Sequence, residues 1–168
     1  MPQLIKNRAP AQDPFTLLRA ADDPLPASPA IVPLAAWKAK RDALAARGDV
    51  GVWLASADDP AEIADDVACL PLVAVDFPQF SDGRGYSTAR LLRERYGFTG
   101  ELRAIGDIQR DQLAYLAQCG FDAFAIRDGK DVQDALAGLD DFSDGYQLTA
   151  ARTPWFRRRA AASSAVVE

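Results

Sequence analysis

Leu72-Val73-Ala74-Val75-Asp76-Phe77-Pro78-Gln79-Phe80-Ser81-Asp82-Gly83-Arg84-Gly85-Tyr86-Ser87-Thr88-Ala89-Arg90 is the stretch that decides the fold. Its first five residues form an unbroken, β-branched run, the pattern of a parallel strand buried on both faces. A loop from Phe77 to Gly85 leads into a helix that runs to Tyr96 and is stopped by Gly97. The same alternation recurs on either side. Upstream, Ile31-Val32 reads as a short strand, Leu34 to Arg47 as a helix ended by Gly48, and Val50 to Leu54 as a strand. Asp58-Asp59-Pro60 then opens a helix predicted through Ala68. Downstream come a strand at Leu102 to Ile105, a helix opened by Asp107 and ended by Gly120, a strand at Phe121 to Ile126 and a helix at Asp131 to Leu139. The expected class is α/β, with repeated βα units on a mainly parallel sheet, either open and doubly wound or a partial barrel. A closed eight-stranded barrel needs roughly 250 residues, and this chain has 168.

The same reading divides the chain into three parts. Residues 1–30 form an irregular N-terminal arm, because Pro2, Pro10, Pro14, Pro24, Pro26 and Pro29 interrupt any helix. A short extended piece at Phe15-Thr16-Leu17-Leu18 is compatible with an edge strand. Residues 31–150 make one α/β domain, and residues 151–168 a flexible basic tail.

Composition narrows the chemistry. Apolar residues at 49% and charged residues at 26% are globular values, and a net charge of −5 argues against a general nucleic-acid partner. No apolar run reaches the ~18 residues of a membrane span, and Met1 to Lys6 lack the pattern of a secretory signal. The expected location is cytoplasmic, with neither membrane nor nucleic acid as partner. The sequence has no histidine, so the commonest general base and metal ligand is missing. Cys69 and Cys119 cannot build a four-ligand zinc or iron–sulfur site, and both read as packed core thiols. Three Trp and eight Phe are too scattered to outline a flavin or haem pocket. No cofactor and no metal are therefore expected.

Ligands of α/β sheets sit at the carboxyl ends of the strands, which directs attention to two loops. In the first, Asp82, Gly83, Arg84, Gly85, Tyr86, Ser87 and Arg90 combine turn glycines, a hydroxyl and forked guanidinium donors suited to an oxyanion. Thr88 stands where a dinucleotide fingerprint needs its third glycine, so a nicotinamide site is disfavoured. In the second, Arg103, Gly106, Asp107, Arg110 and Asp111 mark another strand-to-helix junction. Residues 84–112 hold six Arg against four acids, whereas residues 49–76 hold seven acids and no Lys or Arg. These opposite fields fit an anion-binding or docking face. A purely structural account competes at both places: Asp82-Gly83 as a plain turn with an Arg90–Glu94 pair, and Asp107 as a helix cap. In the tail, Trp155, Phe156, Arg157, Arg158 and Arg159 join apolar anchors to cations, a combination suited to docking on an acidic partner. Exposed sheet edges would also favour self-association.

One long ordered pattern goes further. Phe77-Pro78-x-Phe80-x-Asp82-Gly83-Arg84-Gly85-Tyr86-Ser87-x-Ala89-Arg90-Leu91-Leu92-Arg93 is followed by Gly100-Glu101-Leu102-Arg103-Ala104-x-Gly106-Asp107, by Arg110-Asp111-Gln112-Leu113 and by Cys119-Gly120-Phe121-Asp122-Ala123-Phe124. Together they resemble the bacterial family called domain of unknown function nine-thirty-four, most strongly over residues 72–127. The resemblance implies an accessory role in assimilatory sulfite reduction, with the sulfite reductase haemoprotein as partner, and members are often labelled oxidoreductases. The leading expectation is an accessory protein that binds this reductase system through its basic loops and tail. Two alternatives stand beside it. One is an enzyme gripping a small anion with Arg84, Ser87, Arg90 and Arg103, with Asp82 or Asp107 as proton acceptor; the other is a flavin-dependent oxidoreductase.

Overall fold

Alternating apolar runs and glycine-stopped helices assemble into an eight-stranded sheet with five helices, seen in a computed structural model that describes residues 3–126 and 131–139. In chain order the elements are β1 (Gln3–Lys6), β2 (Ala9–Ala11), β3 (Thr16–Leu17), β4 (Ala30–Pro33), α1 (Leu34–Ala39), α2 (Arg41–Arg47), β5 (Val50–Leu54), β6 (Leu72–Phe77), α3 (Arg84–Arg90), β7 (Glu101–Gly106), α4 (Leu113–Cys119), β8 (Ala123–Ile126) and α5 (Val132–Gly138). The sheet order is β2-β1-β8-β7-β6-β5-β4-β3. Neighbours from β3 to β8 are parallel, whereas β1 is antiparallel to both β8 and β2.

This order bends the sheet. The outer strands β2 and β3 are joined by residues 12–15 alone, and five extended Cα steps cover at most roughly 18 Å. A flat sheet of eight strands would hold its edges about 34 Å apart. The sheet must therefore curl, and it forms a half-barrel with residues 12–15 strapped between its edges. The buried residues of all five helices, including Trp37, Leu44, Ala89, Leu116 and Ala135, join one core with Val32, Val52, Val73, Val75 and Phe124 on the convex face. The concave face carries a separate cluster, Ile31, Leu72, Ala74 and Ile105, onto which Phe15, Leu17 and Trp53 pack. Among the described residues the helices lie on one face only, which speaks against the doubly wound alternative and for the partial barrel.

Several expectations need correcting. The first 30 residues are not an irregular arm, since β1 lies inside the sheet with Ile5 fully buried and Leu4 nearly so. Proline does not prevent this, because Pro10 lies on the edge strand β2 where a missing N–H is tolerated. Asn7 and Arg8, at φ 50 and 63, make the two-residue turn that right-twisted hairpins favour. The helix predicted over Leu34 to Arg47 breaks at Lys40 (φ −132, ψ 29). The break lets Trp37 Nε1 and Arg41 Nε reach the same buried carboxylate, Asp66, at 2.8 and 2.7 Å. Asp59 caps Ala61 as expected, yet only a 3-10 turn follows over Pro60–Ile63. Asp58, Asp59, Glu62, Asp65 and Asp66 would repel one another at three- and four-residue spacing in a longer helix. The tail residues Trp155, Phe156, Arg157, Arg158 and Arg159, and residues 140–150, lie outside the described residues. Among the described residues no helix is long and apolar enough to cross a membrane.

Candidate functional site

Period-two alternation along β7 aims Glu101, Arg103 and Ile105 into the concave side of the half-barrel, while Leu102 and Ala104 face the helices. Arg103 is only 1% exposed. Its Nε donates to Glu101 Oε1 at 2.7 Å and its Nη1 to Asp13 Oδ2 at 2.7 Å. The guanidinium also stands 5.6 Å from the centre of the Phe15 ring. Lys6 Nζ lies 2.6 Å from the other oxygen of Glu101, so two cations and two carboxylates balance. Asp13 and Phe15 belong to the strap, which this arginine clasps across the sheet. A second clasp is Arg19, 3.0 Å from Asp76 Oδ1 and 5.6 Å from the Trp53 ring, whose Nε1 donates to Leu18 O at 2.8 Å. Between strap and sheet lies a cavity of about 1030 Å³, with Leu4, Ile31, Ile105, Ala125, Phe15 and Arg103 in its wall. A smaller depression of about 300 Å³ at the carboxyl ends of β6 and β7 is bounded by Arg19, Asp76, Gly106 and Asp107.

The glycine-bearing loop after β6 is built differently from an oxyanion cradle. Gly83 has φ −82, an ordinary right-handed value, and α3 starts at Arg84. Gly85 is needed for packing, since a Cβ there would meet the Phe77 ring at 2.5 Å. Arg84 turns back and forks onto Asp82, with Nε to Oδ1 at 3.0 Å and Nη2 to Oδ2 at 2.7 Å. The Arg84 guanidinium first, and the Ser56 hydroxyl second, hold the Asp82 carboxyl well below the usual carboxylate range. Ser87 is exposed on the other side of the turn from buried Gly85. Arg90 lies under α3 against Cys119 of α4. Arg110 donates to Asp134 O at 2.9 Å and pairs with its carboxylate at 3.2 Å, and Asp111 is exposed beside it. The structure thus brings Asp82 to Arg84, and Gly106 to Asp107 and Asp76, but it places Arg84, Arg90, Arg103 and Arg110 in four separate settings. Asp107 is not at the cap position of the turn that leads into α4; Gln109 is, with its N–H donating to Gln112 Oε1 at 3.0 Å. Gly106 has φ 96, and Asp107 N donates to Phe77 O at 2.7 Å, which ties the ends of β6 and β7 together.

One corner of this rim is aromatic. Phe80 and Tyr115 are 58% and 47% exposed, two of four large apolar side chains left open among the described residues. Gln112 Nε2 ties them by donating to Phe80 O at 2.7 Å and to Tyr86 Oη at 3.1 Å, while the Tyr86 and Tyr115 rings lie 4.9 Å apart. Burial raises the Tyr86 hydroxyl above its ordinary value, with Gln112 pulling the other way. Cys119 is buried, and burial pushes its thiol up; Cys69 is exposed instead of packed, with Sγ 3.1 Å from Asp66 O. Among the described residues no group of three or more His, Cys, Asp or Glu is placed to hold a metal ion.

The sequence reading missed Asp13, Arg19, Asp76, Phe80 and Tyr115 as site residues. For Arg103 and Glu101 a signal existed, because residues two apart on a strand share a face. Nothing local announces Asp13, which reaches Arg103 across ninety positions.

Fold and site together define a mixed α/β protein whose curled sheet holds a strapped concave cleft and an aromatic rim. The chain belongs to the family described as bacterial protein of unknown function (DUF934), whose model matches residues 51–156. Among curated proteins none matches the chain.

Proposed function

We propose that the chain is an accessory binding protein of assimilatory sulfite reduction, and that it docks on the sulfite reductase haemoprotein through the aromatic corner of its rim. The family resemblance supplies the pathway. The docking surface rests on one observation: Phe80 and Tyr115 stand exposed on a scaffold held by Gln112, with the 62%-exposed Arg84 on the same loop as Phe80. Tyr, Phe and Arg are enriched at protein interfaces, and Tyr and Arg among the residues that carry most of the binding energy. Asp82 holds the turned-back Arg84 in a fixed fork, so little side-chain freedom remains to be lost on association.

The test is capture of the purified haemoprotein by the full-length chain. Wild type should retain it, and Phe80→Ala with Tyr115→Ala should weaken capture by about a hundredfold, or roughly 2.7 kcal/mol, while the variant stays folded by circular dichroism with a melting temperature lowered only modestly by loss of the Tyr86–Tyr115 ring contact. Capture that is absent, or indifferent to the double substitution, overturns docking at this corner. A strain lacking the gene should grow on cysteine and fail on sulfate. Normal growth on sulfate overturns the physiological role.

A further inference from the structure

We infer that the concave cavity is a binding site for a small uncharged molecule with an apolar body and a carbonyl-type acceptor. This goes beyond the docking reading and uses none of its residues. Three observations carry it. First, the cavity of about 1030 Å³ is at the upper end of the ~300–1,000 Å³ typical of small-molecule sites. It is walled mainly by apolar side chains, among them Leu4, Leu17, Ile31, Ile105 and Ala125. Second, one polar group in that wall is incompletely satisfied. Arg103 Nη2 is buried and lies 2.7 Å from Glu101 Oε1, an ion pair whose angle falls short of a hydrogen bond. An acceptor delivered in line by a ligand would complete that hydrogen bond.

Third, the charges of the wall are already balanced, which selects against an ionic ligand. Arg103 faces Glu101 and Asp13, Lys6 faces Glu101, and Arg19 faces Asp76. A carboxylate or sulfonate brought here would leave a surplus negative charge beside Asp13 and Glu101 in a mainly apolar cavity. A carbonyl oxygen accepts from Nη2 without that penalty. Gln3, Gln12 and Gln133 also line the cavity and add uncharged polar groups.

Nile red, an uncharged aromatic dye with one ring carbonyl, is a suitable probe, and anilinonaphthalene sulfonate is its charged counterpart. Titrated into the full chain, Nile red should bind saturably at a single site with blue-shifted emission, and the sulfonate at least about tenfold more weakly. Ala125→Phe fills the cavity from β8 and should abolish the Nile red signal. Leu17→Trp does the same from β3 and serves if Ala125→Phe does not fold, as judged by circular dichroism. Absence of saturable Nile red binding overturns the inference, as does binding unchanged in the folded cavity-filling variant. Equal or tighter binding of the sulfonate overturns the uncharged class.

Discussion

A Cβ on Gly85 would press into the Phe77 ring at 2.5 Å, whereas a Cβ on Gly83 would find nothing closer than the Tyr86 ring at 3.7 Å. Two glycines that the sequence presents as one loop motif therefore answer to different physics, and substitution separates them. Gly83→Ala should leave stability within about 0.5 kcal/mol, as surface changes do. Gly85→Ala should cost about 1–3 kcal/mol, because α3 must move off β6 or Phe77 must leave its rotamer. Urea unfolding of both variants decides the matter; equal losses would mean that the loop and not the helix contact needs the glycines. The cysteines split in the same way. Cys69 is exposed and Cys119 fully buried, and the burial that raises the Cys119 thiol also denies it to reagents. At neutral pH one thiol should react at once with a disulfide reagent and the second only in denaturant. Rapid labelling of both would mean that α4 opens readily. The sign for stability also follows. A thiol raised in the folded state contributes fully below its unfolded value, and that contribution is lost as pH rises through the folded one.

Among the elements, the strap between β2 and β3 depends most on distant residues. Its hold on the sheet is Asp13 on Arg103, Phe15 over the same guanidinium, and Arg19 on Asp76. Asp13→Ala leaves a buried arginine facing Glu101 alone and should cost about 3 kcal/mol, with faster proteolysis and amide exchange confined to residues 12–18. Unchanged exchange there would show that the edge pairing of β3 alone fixes the strap. The strands from β4 to β8 were legible in the sequence, because Val50–Leu54, Leu72–Phe77 and Ala123–Ile126 are apolar on both faces and glycines stop the helices before or between them. β1 and β2 were not, because a proline-rich run of short apolar pieces carries no period, and its pairing partner, β8, lies more than a hundred residues away. The split of the first helix was hidden as well, since its cause is the position of Asp66 in space. The rim loops were found by the carboxyl-end rule, but which way each arginine turns depends on acids such as Asp134 that spacing does not bring to notice.

Across the whole molecule, the sequence's opposite charge fields resolve into local pairs, and this determines the response to acid. Arg47 holds Asp49 below its ordinary value and Arg84 does the same for Asp82, in each case chiefly by a side-chain hydrogen bond. A carboxyl lowered in the folded state adds stability that is present above its unfolded value of about 3.9 and is lost as pH falls through the folded value. Asp122 runs the other way. Burial is the first cause of its rise, offset by Arg93, whose Nη2 lies 3.0 Å from it. Its ionisation therefore opposes folding, and acid relieves that opposition. Two lowered carboxylates against one raised predict a net loss of stability on acidification below about pH 4. Denaturant midpoints measured down the acid limb should fall steeply for wild type and less steeply for Asp49→Asn with Asp82→Asn. Salt at ~1 M should flatten the wild-type slope toward the variant, because both pairs are reachable by solvent and the screening length there is about 3 Å. A slope that neither the substitutions nor salt alters would place the acid response outside these two pairs.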